Sequence, residues 1–146
     1  MPCECESAIG RAKDSGDLAQ MVATLACYDR MFGPISLQTL LLAALVGRTL
    51  ADSGEDELGR RLLERVARDV VRAAGPTHRV RLTALSSLRD LYLRFDDLDA
   101  AIRTQTELAN CWLTLAGPEA PETVEAKSCL GSLLMRSGSP VTLSPL

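Results

Sequence analysis

The dipeptide Gly-Pro occurs three times in this 146-residue chain, at Gly33-Pro34, Gly75-Pro76 and Gly117-Pro118, and the interval from the first to the second equals that from the second to the third. We call this constant interval the repeat period. A fixed period of this length is the sequence signature of a repeat protein built from short supersecondary units. Glycine and proline both interrupt helices, so each dipeptide separates one unit from the next. The chain is therefore predicted to repeat one structural unit several times.

Apolar residues at helical spacing follow each Gly-Pro dipeptide. The helices predicted to begin a unit, called first helices below, run from Leu37 to Asp52, from Arg79 to Phe95 and from Pro121 to Arg136. The helices predicted to end a unit, called second helices, run from Glu55 to Ala74 and from Asp97 to Ala116. Their apolar residues recur every three or four positions, and no segment alternates as a strand does. The predicted fold class is all-α.

Polar turns join the two helices of each unit. The turns at Asp52-Ser53-Gly54 and Phe95-Asp96-Asp97 offer side-chain oxygens that can cap the second helix. Pro121 suits the first turn of the last helix, where its missing N–H has no partner to lose. We expect this last helix to cover the apolar side of the pair that ends at Ala116, because a stacked repeat cannot bury its face alone.

The residues before Gly33 fit the same unit in shortened form. Asp14-Ser15-Gly16 echoes the turn at Asp52-Ser53-Gly54, at an interval shorter than the repeat period by about one helical turn. This predicts a second helix from Asp17 to Met31, preceded by a truncated first helix from Pro2 to Lys13. The predicted domain, 1–138, consists of a truncated repeat 1–32, full repeats 33–74 and 75–116 and a single capping helix 117–138, followed by a tail 139–146.

The repeated pattern resembles tetratricopeptide repeats of the 42-residue kind found in kinesin light chains, whose units begin Gly-Pro-x-His-Pro-x-Thr. The segment GPEAPET, Gly117 to Thr123, matches that opening except at the histidine, which His78 supplies in the preceding unit. The small residue of the family's second helix falls on Gly59 and Ala101. The resemblance implies a right-handed α-solenoid of about seven helices in tandem antiparallel pairs, with a concave groove that binds a peptide or helix of a partner protein.

The family's groove positions fall on one face of each first helix of this chain. They are Leu41, Ala44, Leu45, Arg48 and Asp52; then Thr83, Ser86, Ser87, Asp90, Leu93 and Arg94; and finally Glu125, Ser128, Cys129, Ser132 and Arg136. Many family members grip a ligand backbone with paired asparagines, but this chain has Ala44-Leu45, Ser86-Ser87 and Ser128-Cys129 at those places. A row of serines and charged residues is also the ordinary pattern of a solvated helix face.

The helix from Leu37 to Asp52 is apolar almost all the way round, which predicts cover on more than one side. Neighbouring repeats cover one side, so something else should lie over Leu41 and Leu45. The candidates are a partner's peptide or helix, a second copy of the chain, and the tail from Ser139 to Leu146. The leading hypothesis is a non-enzymatic scaffold that binds a protein partner. The alternative is a self-associating regulatory repeat protein, and a homodimer is expected.

Several functions are not expected from this sequence. The net charge of −3 gives no general attraction to nucleic acid, and the arginines of the second helix from Glu55 to Ala74 follow acidic residues at the spacing of ion pairs. The longest apolar run, Leu40 to Gly47, is far shorter than the roughly 20 residues needed to cross a membrane. The acidic N-terminus lacks a secretory pattern, and five cysteines, an odd number, suit reduced thiols in the cytoplasm.

Enzymatic and metal chemistry are not expected either. The one histidine, His78, lies at a loop position of the repeat, and no phosphate-binding loop or nucleophile elbow is present. Helix capping accounts for the cluster Asp96, Asp97 and Asp99. Cys3-Glu-Cys5 has no second pair of ligands with which to complete a zinc site. No cofactor is predicted.

Overall fold

The computed structural model describes residues 18–138, and within that range the structure is all-α, with no strand. The six helices are α1 (Leu18–Phe32), α2 (Leu37–Asp52), α3 (Asp56–Ala74), α4 (Arg79–Arg94), α5 (Leu98–Ala116) and α6 (Pro121–Ser137). The predicted all-α class is confirmed, and each predicted helix boundary in this range agrees with the structure to within one residue. The predicted helix Pro2 to Lys13 and the tail 139–146 lie outside the described residues.

The three Gly-Pro loops have the same conformation. Gly33, Gly75 and Gly117 have φ values of +88°, +97° and +88°, a region in which residues with a side chain are strained. Each glycine donates its N–H to the carbonyl four residues earlier, over distances of 3.1, 3.0 and 3.0 Å. The repeat period of the sequence is therefore also a period in backbone geometry.

The turns inside the helix pairs repeat as well. Gly54 and Asp96, which are one repeat period apart, have φ values of +89° and +59°. The next residue in each turn donates its N–H to a carbonyl of the preceding helix at 2.8 Å, from Glu55 to Leu50 and from Asp97 to Tyr92. These hydrogen bonds close the C-terminus of the first helix. Each of these two first helices therefore ends in the same left-handed turn.

The caps of the second helices differ from one another. Asp97 accepts a hydrogen bond from the N–H of Ala100 at 3.1 Å, so the predicted cap of α5 is confirmed. The predicted cap of α3 is wrong, because α3 begins after Glu55 with no side-chain hydrogen bond. Asp52 is still part of α2, and Ser53 and Gly54 form the turn that ends it.

Each helix packs against its neighbours in sequence, and α2 also packs against α4. The helices approach closely where α2 crosses α3. A Cβ atom on Gly47 would lie 2.8 Å from Leu63 Cγ, and one on Gly59 would lie 3.0 Å from the carbonyl oxygen of Gly47. Leucine, valine and alanine side chains make up most of the core, together with Met21 and Tyr28. This packing brings α2 and α4 side by side.

Candidate functional site

Three adjoining clefts follow the first helices α2, α4 and α6, and we call them together the groove. The apolar cleft, about 450 Å³, is lined by Leu37, Leu41, Ala44, Leu45, Arg48, His78, Arg79, Val80 and Thr83. The middle cleft, about 390 Å³, shares Arg48 and Thr83 with it. The third cleft, about 340 Å³, shares Ser86 and Trp112 with the middle cleft. The shared residues make the groove continuous from α2 to α6.

The apolar cleft combines exposed leucine with unpaired positive charge. Leu41 is 50% exposed, Leu45 is half-buried, and no described residue covers the open side of either. Arg48 and Arg79 are exposed and form no ion pair or hydrogen bond within the described residues. No aspartate or glutamate lines this cleft. It can therefore accept an apolar side chain and a neighbouring carboxylate at the same time.

His78, which lines the apolar cleft, also has a structural role. Its Nδ1 atom accepts a hydrogen bond from the N–H of Val80 at 3.1 Å, so that the imidazole caps the N-terminus of α4. Ser36 occupies the equivalent position before α2 and accepts from Thr39 N–H at 3.2 Å. The histidine thus replaces a serine cap, which agrees with the structural interpretation made from the sequence.

The middle cleft is polar and has an aromatic wall. Ser86 and Ser87 are half-buried in it, and Asp90 is exposed at its edge. Arg89 Nε donates a hydrogen bond to Asp90 at 3.1 Å, so this carboxylate is partly neutralised. The aromatic wall is Trp112 of α5. With Gln105 and Leu108 in the third cleft, the groove includes residues of a second helix, which the family positions did not indicate.

A polar pair, half-buried Arg89 and buried Gln105, lines the third cleft. Arg89 Nη1 donates to Gln105 Oε1 at 2.8 Å, and Gln105 Nε2 donates to the carbonyl of Ala126 at 2.9 Å. Gln105 is fully buried. The positions one repeat period earlier hold Gly47 and Leu63, which pack against each other. The polar pair therefore joins α4, α5 and α6 where the preceding repeat has an apolar contact.

Not all predicted groove residues line the clefts. Arg94 Nη1 donates to the carbonyl of Ala51 and to Asp56 Oδ1, both at 2.9 Å, and so fastens α4 to the junction of α2 and α3. Asp52 is exposed at the end of α2. The predicted residues that lie outside the clefts are Asp52, Leu93, Arg94, Ser128, Ser132 and Arg136. The ten others line them.

The arginines of α3 are largely neutralised, although the partners are mostly not the predicted ones. Of three pairs expected at a spacing of four residues, Glu57–Arg61 forms, at 3.2 Å. Asp56 is bound by Arg94 of α4 instead. Arg65 is bound to a carboxylate of α1 at 2.6 Å. The contacts of Asp56 and Arg65 hold α3 against α4 and α1, and every arginine of the stretch except Arg72 has a carboxylate partner within the described residues.

Glu64 of α3 accepts hydrogen bonds from Arg60 at 3.1 Å and from the hydroxyl of Tyr92 at 2.5 Å. Burial and the adjacent carboxylate raise the pKa of Tyr92 above the ordinary value for tyrosine. This cluster lies in a separate polar cleft of about 280 Å³ between α3, α4 and α5. Its charged groups stabilise the contact between the two full repeats.

Residues 18–138 contain neither a metal-binding cluster nor a membrane-spanning helix. No group of three or more histidine, cysteine, aspartate or glutamate side chains in that range is arranged to hold a metal ion. None of the six helices is both long enough and apolar enough to cross a membrane. Cys3-Glu-Cys5 lies outside the described residues.

Comparison of the chain with protein-family models gives no match, and comparison with curated proteins gives none either. The resemblance to tetratricopeptide repeats therefore stays an expectation from the sequence.

Proposed function

We propose that this protein is a non-enzymatic scaffold of the tetratricopeptide type, which binds a peptide or helix of a partner protein in the groove. The proposed architecture is a right-handed α-solenoid of tandem helix pairs. Its support is the packing of each helix on its sequence neighbours, together with the contact between α2 and α4. The loops at Gly33, Gly75 and Gly117, which repeat one geometry, fit a solenoid in which one unit is stacked repeatedly.

The observation that carries this proposal is the continuity of the three clefts along α2, α4 and α6. A groove assembled from equivalent faces of successive units is the surface with which helical solenoids bind extended partners. Leu41 leaves half of its surface in water at one end of the groove. Covering that half would contribute roughly 1 kcal/mol.

The charges of the groove indicate the chemistry of the partner. Arg48 and Arg79 flank the leucines of the apolar cleft without an acidic neighbour in its lining. A partner segment that places carboxylates beside an aliphatic residue would satisfy both features. At the other end, Glu122 and Glu125 line the third cleft. The bound segment is therefore proposed to be acidic at the α2 end and basic or neutral at the α6 end.

Selection of peptides from a random phage-displayed library by the full chain tests this function. We expect enrichment of sequences with aliphatic and acidic residues together, and loss of their binding in the Leu41→Glu variant. Leu58→Glu is the matched control, because Leu58 is 52% exposed on α3 and lies outside the groove. Absence of enrichment, or equal loss in both variants, would contradict the proposal.

The predicted homodimer stays a prediction, and light scattering of the full chain measures it. Mass twice that of the chain, together with a monomeric Leu41→Glu variant, would favour the alternative in which a second copy occupies the groove. A dimer unaffected by that variant would leave the groove free for a different protein.

A further inference from the structure

The outward face of α6 repeats a surface that another helix covers in the first full repeat. We define the α6 open face as Val124, Lys127, Gly131, Leu134 and Met135. Val124 is 51% exposed and Met135 is 72% exposed. The α2 residues two repeat periods earlier, all of them buried, are Leu40, Ala43, Gly47, Leu50 and Ala51. The same positions are therefore buried in α2 and half-buried or exposed in α6.

Gly131 marks the centre of the open face. The equivalent Gly47 allows α3 to approach so closely that a Cβ atom there would lie 2.8 Å from Leu63 Cγ. A Cβ atom on Gly131 would meet nothing within 4 Å among the described residues. The α6 face thus has the small residue that a close helix crossing requires, and no described helix lies against it.

Lys127 gives this face a charge that the equivalent positions lack. It is half-buried and forms no ion pair or hydrogen bond within the described residues, and Ala43 and Leu85 stand at the equivalent places in α2 and α4. In the first repeat, Gly59 of α3 lies against α2 at Ala51 and Gly47, and Leu63 lies against Gly47. If an antiparallel helix packed on α6 in the same way, the residue about seven or eight positions after its small residue would lie opposite Lys127.

We propose that the α6 open face is a docking site for one amphipathic helix of a partner protein. The helix places glycine or alanine against Gly131, as Gly59 lies against α2, and a leucine-sized residue four positions later. It places an acidic residue seven or eight positions after the small one, where it pairs with Lys127. Two observations support this inference. The α6 open face occupies the same repeat positions as the α2 surface that packs on α3, and the positive charge of Lys127 has no partner within the described residues. The site is separate from the groove.

A labelled peptide tests the docking site by fluorescence anisotropy with the full chain. The probe copies residues 55–74, the α3 segment, with Ala67→Glu to place a carboxylate eight positions after Gly59. We expect saturable binding that the chain variant Gly131→Leu weakens by about tenfold or more, since the added side chain holds the helix away. The unmodified α3 peptide should bind more weakly, and Lys127→Ala should remove the advantage of the glutamate.

Controls separate this proposal from folding defects and from the groove. Gly131→Leu should keep the helical content of the parent and an unfolding midpoint at least as high, because space is open around that position and leucine has the higher helix propensity. The groove variant Leu41→Glu should bind the probe as the parent does, whether or not the groove binds a partner. Equal binding by Gly131→Leu, or no saturable binding by the parent, overturns the proposal. A parent dimer that Gly131→Leu converts to monomer also overturns it, because the occupant is then a second copy.

Discussion

The close crossing of α2 and α3 makes a sharp prediction about one chemical change at two equivalent positions. A Cβ atom on Gly47 would lie 2.8 Å from Leu63 Cγ, about 1 Å inside normal carbon–carbon contact. Leu63 is fully buried and cannot turn away into solvent. Gly131, at the equivalent position in α6, has no such neighbour. The variants Gly47→Ala and Gly131→Ala therefore have the same change in helix propensity, but only at Gly47 does the added methyl group meet a close neighbour.

Replacing glycine by alanine within a helix contributes about 1 kcal/mol of helix propensity in both variants. Overpacking at Gly47 costs about 1–3 kcal/mol. We expect Gly131→Ala to raise the free energy of unfolding by up to about 1 kcal/mol. We expect Gly47→Ala to be about 1–3 kcal/mol less stable than Gly131→Ala, a separation of roughly 3–12 °C in unfolding midpoint for a domain of this size.

Urea unfolding followed by far-ultraviolet circular dichroism measures both free energies, and equal slopes with denaturant confirm that the two variants expose similar surface on unfolding. Equal stability of the two variants, or greater stability of Gly47→Ala, would refute the reasoning that α2 and α3 touch at this glycine. It would also remove the basis for interpreting Gly131 as an unoccupied crossing point.

Three further predictions concern buried polar groups. In urea unfolding, Thr123→Val should raise the free energy of unfolding by about 1 kcal/mol, because the Thr123 hydroxyl is buried without a partner among the described residues. Thr39→Val should lower the free energy of unfolding by a similar amount, because it removes the 3.2 Å hydrogen bond to the carbonyl of residue 28. Gln105→Leu should lower the free energy of unfolding by about 1–3 kcal/mol in the same assay, because it removes the hydrogen bonds that Gln105 makes with Arg89 Nη1 and with the carbonyl of Ala126. Because the folded-state pKa of Tyr92 is raised, the contribution of Tyr92 to stability is full below about pH 10 and is lost as the pH rises through that folded-state pKa. Glu64→Gln should move the phenolate titration of Tyr92, followed by ultraviolet absorbance, to lower pH. A titration of Tyr92 unchanged by Glu64→Gln, or equal effects of the two threonine changes, would contradict these assignments.

Local sequence signals predicted the helices well because their ends depend on residues close in sequence. Gly75 and Gly117 end helices through their own backbone conformation, and Pro121 occupies the first turn that it was predicted to fill. The prediction of α3 capping was wrong because Asp52, which offered a capping oxygen, is still part of α2, and Ser53 and Gly54 form the turn that ends that helix. One turn residue cannot be assigned to both helices from the pattern alone.

The groove was predicted in part. Leu41 and Ser86 line it because the position of a residue on a helix face follows from sequence spacing. Arg94 lies outside the three clefts, and its partners are 38 and 43 residues away along the chain, a distance over which spacing gives no information about hydrogen bonds. Gln105 was missed as a polar partner of Arg89, although aligning the units at the repeat period sets these two polar residues on Gly47 and Leu63. This change at both positions, from an apolar pair to a polar pair, was the sequence signal that could have revealed the contact.

The packing of each helix against the next in sequence also bears on how the chain reaches its folded state. Contacts between consecutive helices close short loops, so little chain entropy is lost before each contact forms. Topologies with such local contacts fold on the microsecond to millisecond scale. Under tension applied to the two ends of residues 18–138, α1 and α6 should detach before the central helices, since each of them has a helix on one side only within this range.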